Sequence, residues 1–132
     1  MTVSIGDELS AGPRRSGFAE WNRFAAVNDE FVPIHMDDEE GRRAGYPSAI
    51  AMGRLLWSYA HRLLRDWQPG CRILSVSLQF RRPLVRDGLF DVRARVTGLR
   101  SAAGEEVVDL DVWIEDEAGT VLAPGRASVV LP

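Results

Sequence analysis

Residues 28–37, Asn-Asp-Glu-Phe-Val-Pro-Ile-His-Met-Asp, place two acids, Asp29 and Glu30, shortly before His35, one of two histidines in the chain. Pro33 stiffens the link between the acids and the imidazole. An acid and an imidazole on one short loop are suited to general acid–base work near neutral pH. Downstream, Gly53 opens an apolar segment with helical spacing. The first N–H groups of such a helix have no partner within it and favour a developing negative charge. Together these features point to proton transfer on a polarised carbonyl.

The elements that must hold these residues follow from hydrophobic periodicity. Phe18, Trp21, Phe24 and Ala25 recur at three- and four-residue spacing, which predicts an amphipathic helix from Gly17 to about Val27 with Ser16 as N-cap. Val32 precedes Pro33 and is pushed to an extended conformation, so 28–36 is expected as a loop or bend. Asp37 and Glu40 have capping-box spacing for a short turn of helix over Asp38–Ala44. The longest helical pattern runs from Ile50 to Trp67, with Leu56, Tyr59, Ala60, Leu63, Leu64 and Trp67 as its apolar stripe and Ser58, His61, Arg62 and Arg65 opposite. Pro69-Gly70 stops it.

Strands account for the rest. Thr2–Ile5 predicts a short first strand ending at Gly6-Asp7-Glu8. Leu74, Val76, Leu78 and Phe80 alternate with polar residues, as do Phe90, Val92, Ala94 and Val96, and then Val108, Leu110, Val112 and Ile114. Ala127–Leu131 closes the chain. The links near Arg86-Asp87-Gly88, Ala103-Gly104 and Ala118-Gly119 are short and carry turn residues, which predicts antiparallel neighbours and an α+β fold. One sheet face must cover the long helix.

Composition narrows the function classes. The chain has 132 residues, 45% hydrophobic and 27% charged, and reads as one domain over residues 1–132. A net charge of −3 with no basic block argues against nucleic-acid capture. All 16 basic residues are arginine, which excludes a Schiff-base or phosphate-loop lysine. Cys71 is the single cysteine, so no internal disulfide forms, and with two histidines a structural zinc site is not expected. Neither a secretory leader nor a membrane-spanning run is visible, so a cytoplasmic protein without a membrane partner is expected.

Four sub-motifs in order carry a resemblance: Arg23-Phe24-Ala25-Ala26, Asp29 to Asp37, Ala44-Gly45-Tyr46-Pro47, and Ile50-Ala51-Met52-Gly53. Over roughly residues 18–58 the chain resembles the hydratase motif of the MaoC-like (R)-specific enoyl-CoA hydratases and acyl dehydratases. The resemblance implies a single hot-dog domain, an antiparallel β-sheet wrapped around one long central helix. It implies a hydro-lyase that adds water reversibly to a trans-2-enoyl thioester, giving a 3-hydroxyacyl thioester. The acyl carrier is then coenzyme A or an acyl-carrier protein, and no metal or redox cofactor is required.

Matched by position, Glu30 and His35 share the water and proton steps, and the N–H of Gly53 meets the thioester oxygen. Glu30 stands where the family usually has Asp, Val32 where it has Asn, and Met52 where it has His. Asp29 competes with Glu30 as the base, since a shift of one residue in the loop presents it instead. Family members pair into dimers, which implies a homodimer or a dimer of dimers. A second reading is a non-catalytic or substrate-binding half of a heterodimer with a paralogous hot-dog subunit. A third is a hot-dog thioesterase, for which Ser58 is the one hydroxyl found near the start of the central helix. Arg81 and Arg82 suit coenzyme A phosphates, although a solvated surface pair is the default. His61 is expected to be a solvated or interface residue.

Overall fold

The alternating runs in the second half of the chain form long strands because one face of each is apolar without interruption. Phe90, Val92, Ala94 and Val96 are buried, and Val108, Leu110, Val112 and Ile114 face the same interior from the neighbouring strand. The computed structural model describes residues 2–132. In chain order the elements are strands β1 (Glu8–Ser10) and β2 (Arg14–Arg15), helix α1 (Phe18–Asn28), a 3-10 turn (Pro33–His35), helices α2 (Asp38–Arg43) and α3 (Gly53–Trp67), and strands β3 (Arg72–Leu78), β4 (Leu89–Ala102), β5 (Glu105–Asp116) and β6 (Val121–Val130). One antiparallel sheet has the order β1-β4-β5-β6-β3, with β2 also paired to β4. Ala103 and Gly104, both at positive φ, make the tight β4–β5 turn.

The sheet wraps α3, the hot-dog arrangement. Leu55, Leu56, Ala60, Leu63 and Leu64 of that helix are buried, and α3 touches β1, β3, β4 and β5. Trp21, fully buried, anchors α1 to the same core. No helix among the described residues is long and apolar enough to cross a membrane.

Several expected boundaries move, each for a local reason. Residues 2–5 do not form a strand: Asp7 accepts from the N–H of Ser4 at 2.8 Å, Gly6 has φ +92°, and backbone bonding to β4 begins with Gly6 N–H to Val96 O at 2.8 Å. Ser16 does not cap α1. Gly17 is the N-cap without a side-chain bond, and the Ser16 hydroxyl is buried, accepting from Trp21 Nε1 at 2.8 Å. The capping box of α2 is half made: Asp37 accepts from the N–H of Glu39, whereas Glu40 pairs with Arg43. Residues 50–52 are extended, not helical. Ile50 bridges Val85 and the N–H of Ala51 donates to Leu84 O at 2.9 Å, so α3 starts at Gly53. A bulge between Ile73 and Ser75 turns Leu74 outward, and Phe80 lies beyond β3, half-exposed. β6 starts six residues earlier than expected, at Val121.

Candidate active site

The loop after α1 is shaped by its own backbone. Asp29 caps α1 in the left-handed region, at φ 53°, a conformation Asp tolerates better than most residues. Its side chain is exposed, whereas Glu30 is half-buried. Glu30 Oε2 is sealed from solvent and has no hydrogen-bond partner among the described residues. A sealed carboxylate oxygen without a donor is costly unless something polar arrives to meet it. That observation separates the two competing acids.

Pro33 sits at the start of the 3-10 turn, where its missing N–H costs nothing. The turn closes with His35 N–H to Val32 O at 3.0 Å and Met36 N–H to Pro33 O at 3.0 Å. It delivers His35 inward, to 9% exposure. The imidazole Nδ1 lies 2.7 Å from Ile50 O. A carbonyl can only accept, so Nδ1 carries the proton, and the neutral ring keeps its lone pair on Nε2. The same strip is pinned twice, because Ile50 N–H donates to Ile34 O at 3.0 Å.

Gly53 follows three residues after Ile50 as the first residue of α3. The first hydrogen bond of the helix runs from Leu56 N–H to Met52 O, so the N–H groups of Gly53, Arg54 and Leu55 precede the ladder. A Cβ at position 53 would stand 2.7 Å from Phe80 Cε2, so only glycine admits the ring this close. Two cavities meet at this point. The larger, about 720 Å³, is an open groove lined by Gly53, Phe80, Phe24, Trp57, Val76 and Leu78, among others. The smaller, about 160 Å³, shares Gly53 and Phe80 and is otherwise lined by residues including Tyr46, Ile50, Leu84, Arg81 and Arg82.

The structure thus puts His35 and Gly53 on one continuous strip joined through Ile50, with Glu30 at the loop's entry. No hydrogen bond joins Glu30 to His35 among the described residues. Val32, in the position of the usual Asn, is exposed and offers no polar side-chain group, and Met52, in the position of the usual His, is fully buried. Ser58 lines the groove, but its hydroxyl donates to Leu55 O at 2.7 Å, and no hydrogen bond joins it to a base among the described residues. His61 packs edge-on against Trp57 with ring centroids 4.1 Å apart, and burial, with Arg65 adding to it, lowers its pKa. No cluster of His, Cys, Asp or Glu among the described residues is grouped to hold a metal. Four contributors were not visible in the sequence. The Ile50 carbonyl carries no side-chain signal. Phe80 was expected to face the sheet interior. Asn28 and Phe24 reach the groove only because α1 lies beside it.

Comparison with known proteins fits this geometry. The family model described as MaoC like domain matches residues 3–117. The (R)-specific enoyl-CoA hydratase of Aeromonas caviae is 31% identical over 121 residues, covering 90% of this chain and 89% of that one. The structure of the A. caviae (R)-hydratase involved in PHA biosynthesis superposes with a TM-score of 0.90 at 28% identity, covering 99% of this chain and 98% of the other. A mitochondrial 3-hydroxyacyl-[acyl-carrier-protein] dehydratase of Arabidopsis thaliana is 27% identical over 83% of this chain, which spans 66% of that protein's length. The ChsH1–ChsH2 complex of Mycobacterium tuberculosis shares the fold, with a TM-score of 0.85 at 16% identity and 100% coverage of both chains. The inward His35, the glycine-started central helix and these matches agree: the chain belongs to the MaoC-like domain family.

Proposed function

We propose that this protein catalyses the reversible hydration of a trans-2-enoyl thioester to a 3-hydroxyacyl thioester, as a hydro-lyase acting on a coenzyme A or acyl-carrier thioester. The observation that carries the reading is the 2.7 Å bond from His35 Nδ1 to Ile50 O, three residues before Gly53. It leaves the Nε2 lone pair free to act as a base, and the N–H groups of Gly53, Arg54 and Leu55 precede the hydrogen-bond ladder of α3.

In the hydration direction the thioester oxygen accepts from Gly53 N–H. Water adds to the β-carbon and loses a proton to Glu30 or His35, and the α-carbon takes up a proton. The negative charge that builds on the thioester oxygen is met by the first turn of α3. Such a donor is worth roughly 3 kcal/mol, and positioned acid–base groups roughly a hundred- to ten-thousandfold in rate. Glu30 is the preferred acid over Asp29, because its sealed oxygen awaits a polar partner while Asp29 faces solvent. None of these steps calls on a metal or redox cofactor.

Partnering follows from the sheet. β3 ends it as an open edge, with Leu74 49% exposed. An exposed edge flanked by apolar residues favours a second chain, and a homodimer or a dimer of dimers is proposed. The second reading, a substrate-binding half of a heterodimer, is favoured by Val32, which lacks the amide expected there. Ser58, tied to Leu55 O, gives no support to a thioesterase. The test is turnover by the purified chain of short and long trans-2-enoyl-CoA, alongside His35→Ala and a measurement of solution mass. Turnover lost in His35→Ala supports the hydratase. A folded dimer without turnover favours the heterodimer subunit.

A further inference from the structure

We infer that Trp57 sets the length of the acyl chain this protein accepts; the inference rests on the thioester reading above. Both cavities touch Gly53 and Phe80, so a thioester held at Gly53 N–H lies at their junction. Its acyl chain and its carrier arm must leave in different directions, and the chemistry of the walls assigns them. The smaller cavity carries Arg81 and Arg82, which have no carboxylate partner among the described residues, whereas Arg14, Arg86 and Arg95 are held by Glu20, Asp38 and Glu8. That side suits the amides and phosphates of a carrier. Phe24, Trp57, Val76 and Leu78 make the larger groove the more apolar side, with Arg54 its one charged residue, which suits an alkyl chain.

Along that groove the indole of Trp57 is a fixed obstacle. Its Nε1–H donates to Val76 O at 2.9 Å and so ties α3 to the edge strand β3. Behind it stands the His61 ring, edge-on at 4.1 Å, with Nε2 sealed and without a partner among the described residues. The α3 residues lining the groove end at Ser58. From Gly53 to Trp57 the helix rises about 6 Å. An extended chain advances about 1.3 Å per C–C bond, so that length fits about six carbons. Longer chains meet the indole and the imidazole behind it.

The test measures kcat/KM for four-, eight- and twelve-carbon trans-2-enoyl-CoA with the natural protein, Trp57→Ala and Trp57→Leu. Binding of the matching saturated acyl-CoAs is measured by calorimetry. A buried methylene is worth roughly fourfold in affinity, so opening room for several of them shifts the twelve- to four-carbon ratio by at least about tenfold in either variant. The natural protein prefers four carbons. Equal handling of four and twelve carbons by the natural protein overturns the inference. So does an unchanged ratio in folded Trp57→Leu, which keeps an apolar helix-forming side chain should Trp57→Ala fail to fold. If no thioester turns over but binding falls with chain length and recovers in the variants, the hydratase reading fails and this inference stands. Turnover with a ratio indifferent to position 57 has the opposite meaning.

Discussion

Gly53→Ala is the substitution whose consequence the geometry fixes most closely. The added methyl stands 2.7 Å from Phe80 Cε2. Carbon atoms prefer about 3.5–4.0 Å, so the ring must retreat by roughly 1 Å. Phe80 is 53% exposed and can swing outward without moving backbone. The helix itself gains from the change, because Ala is a better helix former than Gly by up to ~1 kcal/mol. Stability therefore holds while the junction of the two cavities deforms around the thioester oxygen. A displacement of about 1 Å in a reacting geometry costs roughly a hundredfold. The assay is kcat/KM from loss of enoyl-thioester absorbance, read beside a thermal melt. The expected result is a fall of about tenfold to a hundredfold with a melting temperature unchanged or slightly raised. The double variant Gly53→Ala with Phe80→Leu removes the ring edge and recovers most of the loss. A Gly53→Ala protein with natural kcat/KM, or a double variant no better than the single, refutes the placement of the thioester oxygen beneath Phe80.

Three further outcomes follow from particular contacts. Glu30→Gln lowers turnover by at least about a hundredfold while Asp29→Asn stays near the natural rate; the reverse order assigns the base to Asp29. The Tyr59 hydroxyl is pushed up to about 12, first by burial and then by its hydrogen bond to Glu20. An unfolded tyrosine titrates near ~10, so this stabilisation is complete below that pH and fades as pH rises through the folded value. Tyrosinate absorbance read during alkaline titration, with Tyr59→Phe as the control, checks this. Asp38 is held below the usual carboxylate range by its paired hydrogen bonds from Arg86, and next by the N–H of Ala49. A depressed carboxyl stabilises above its unfolded pKa and stops doing so as pH falls through the folded one. Acid unfolding of Asp38→Asn, compared with the natural protein, therefore shows lower stability near neutral pH and a weaker dependence on acid.

The inward faces of β4 over Phe90–Val96 and of β5 over Val108–Ile114 were legible, because their alternation is local and those side chains enter one core; the run of β4 past its bulge to Ala102 was not. The loop carrying Glu30 and His35 was legible as a bend for a different reason: Val32 precedes Pro33 and is pushed to an extended conformation. What the sequence hid depends on contacts between distant segments. Ile50 reads as the start of the central helix by periodicity, yet its backbone pairs with Ile34, Val85 and the His35 ring. Periodicity has no term for those partners. Ser16 has the residue type of an N-cap, but the indole of Trp21 and the phenol of Tyr59 claim its hydroxyl. In β3 one bulge between Ile73 and Ser75 reverses which apolar residue faces inward. Phe80 lies on the apolar side of the alternation, and only the missing side chain of Gly53 draws its ring over the start of the helix.

The most direct test of the account is hydration of a four-carbon trans-2-enoyl-CoA by the purified protein beside His35→Ala, with circular dichroism to show that both are folded. The account predicts 3-hydroxyacyl-CoA formation by the natural chain and a loss of at least about a hundredfold on removing the imidazole. Equal turnover by the two proteins would contradict it, because the base placed by the His35–Ile50 bond would then take no part in the reaction.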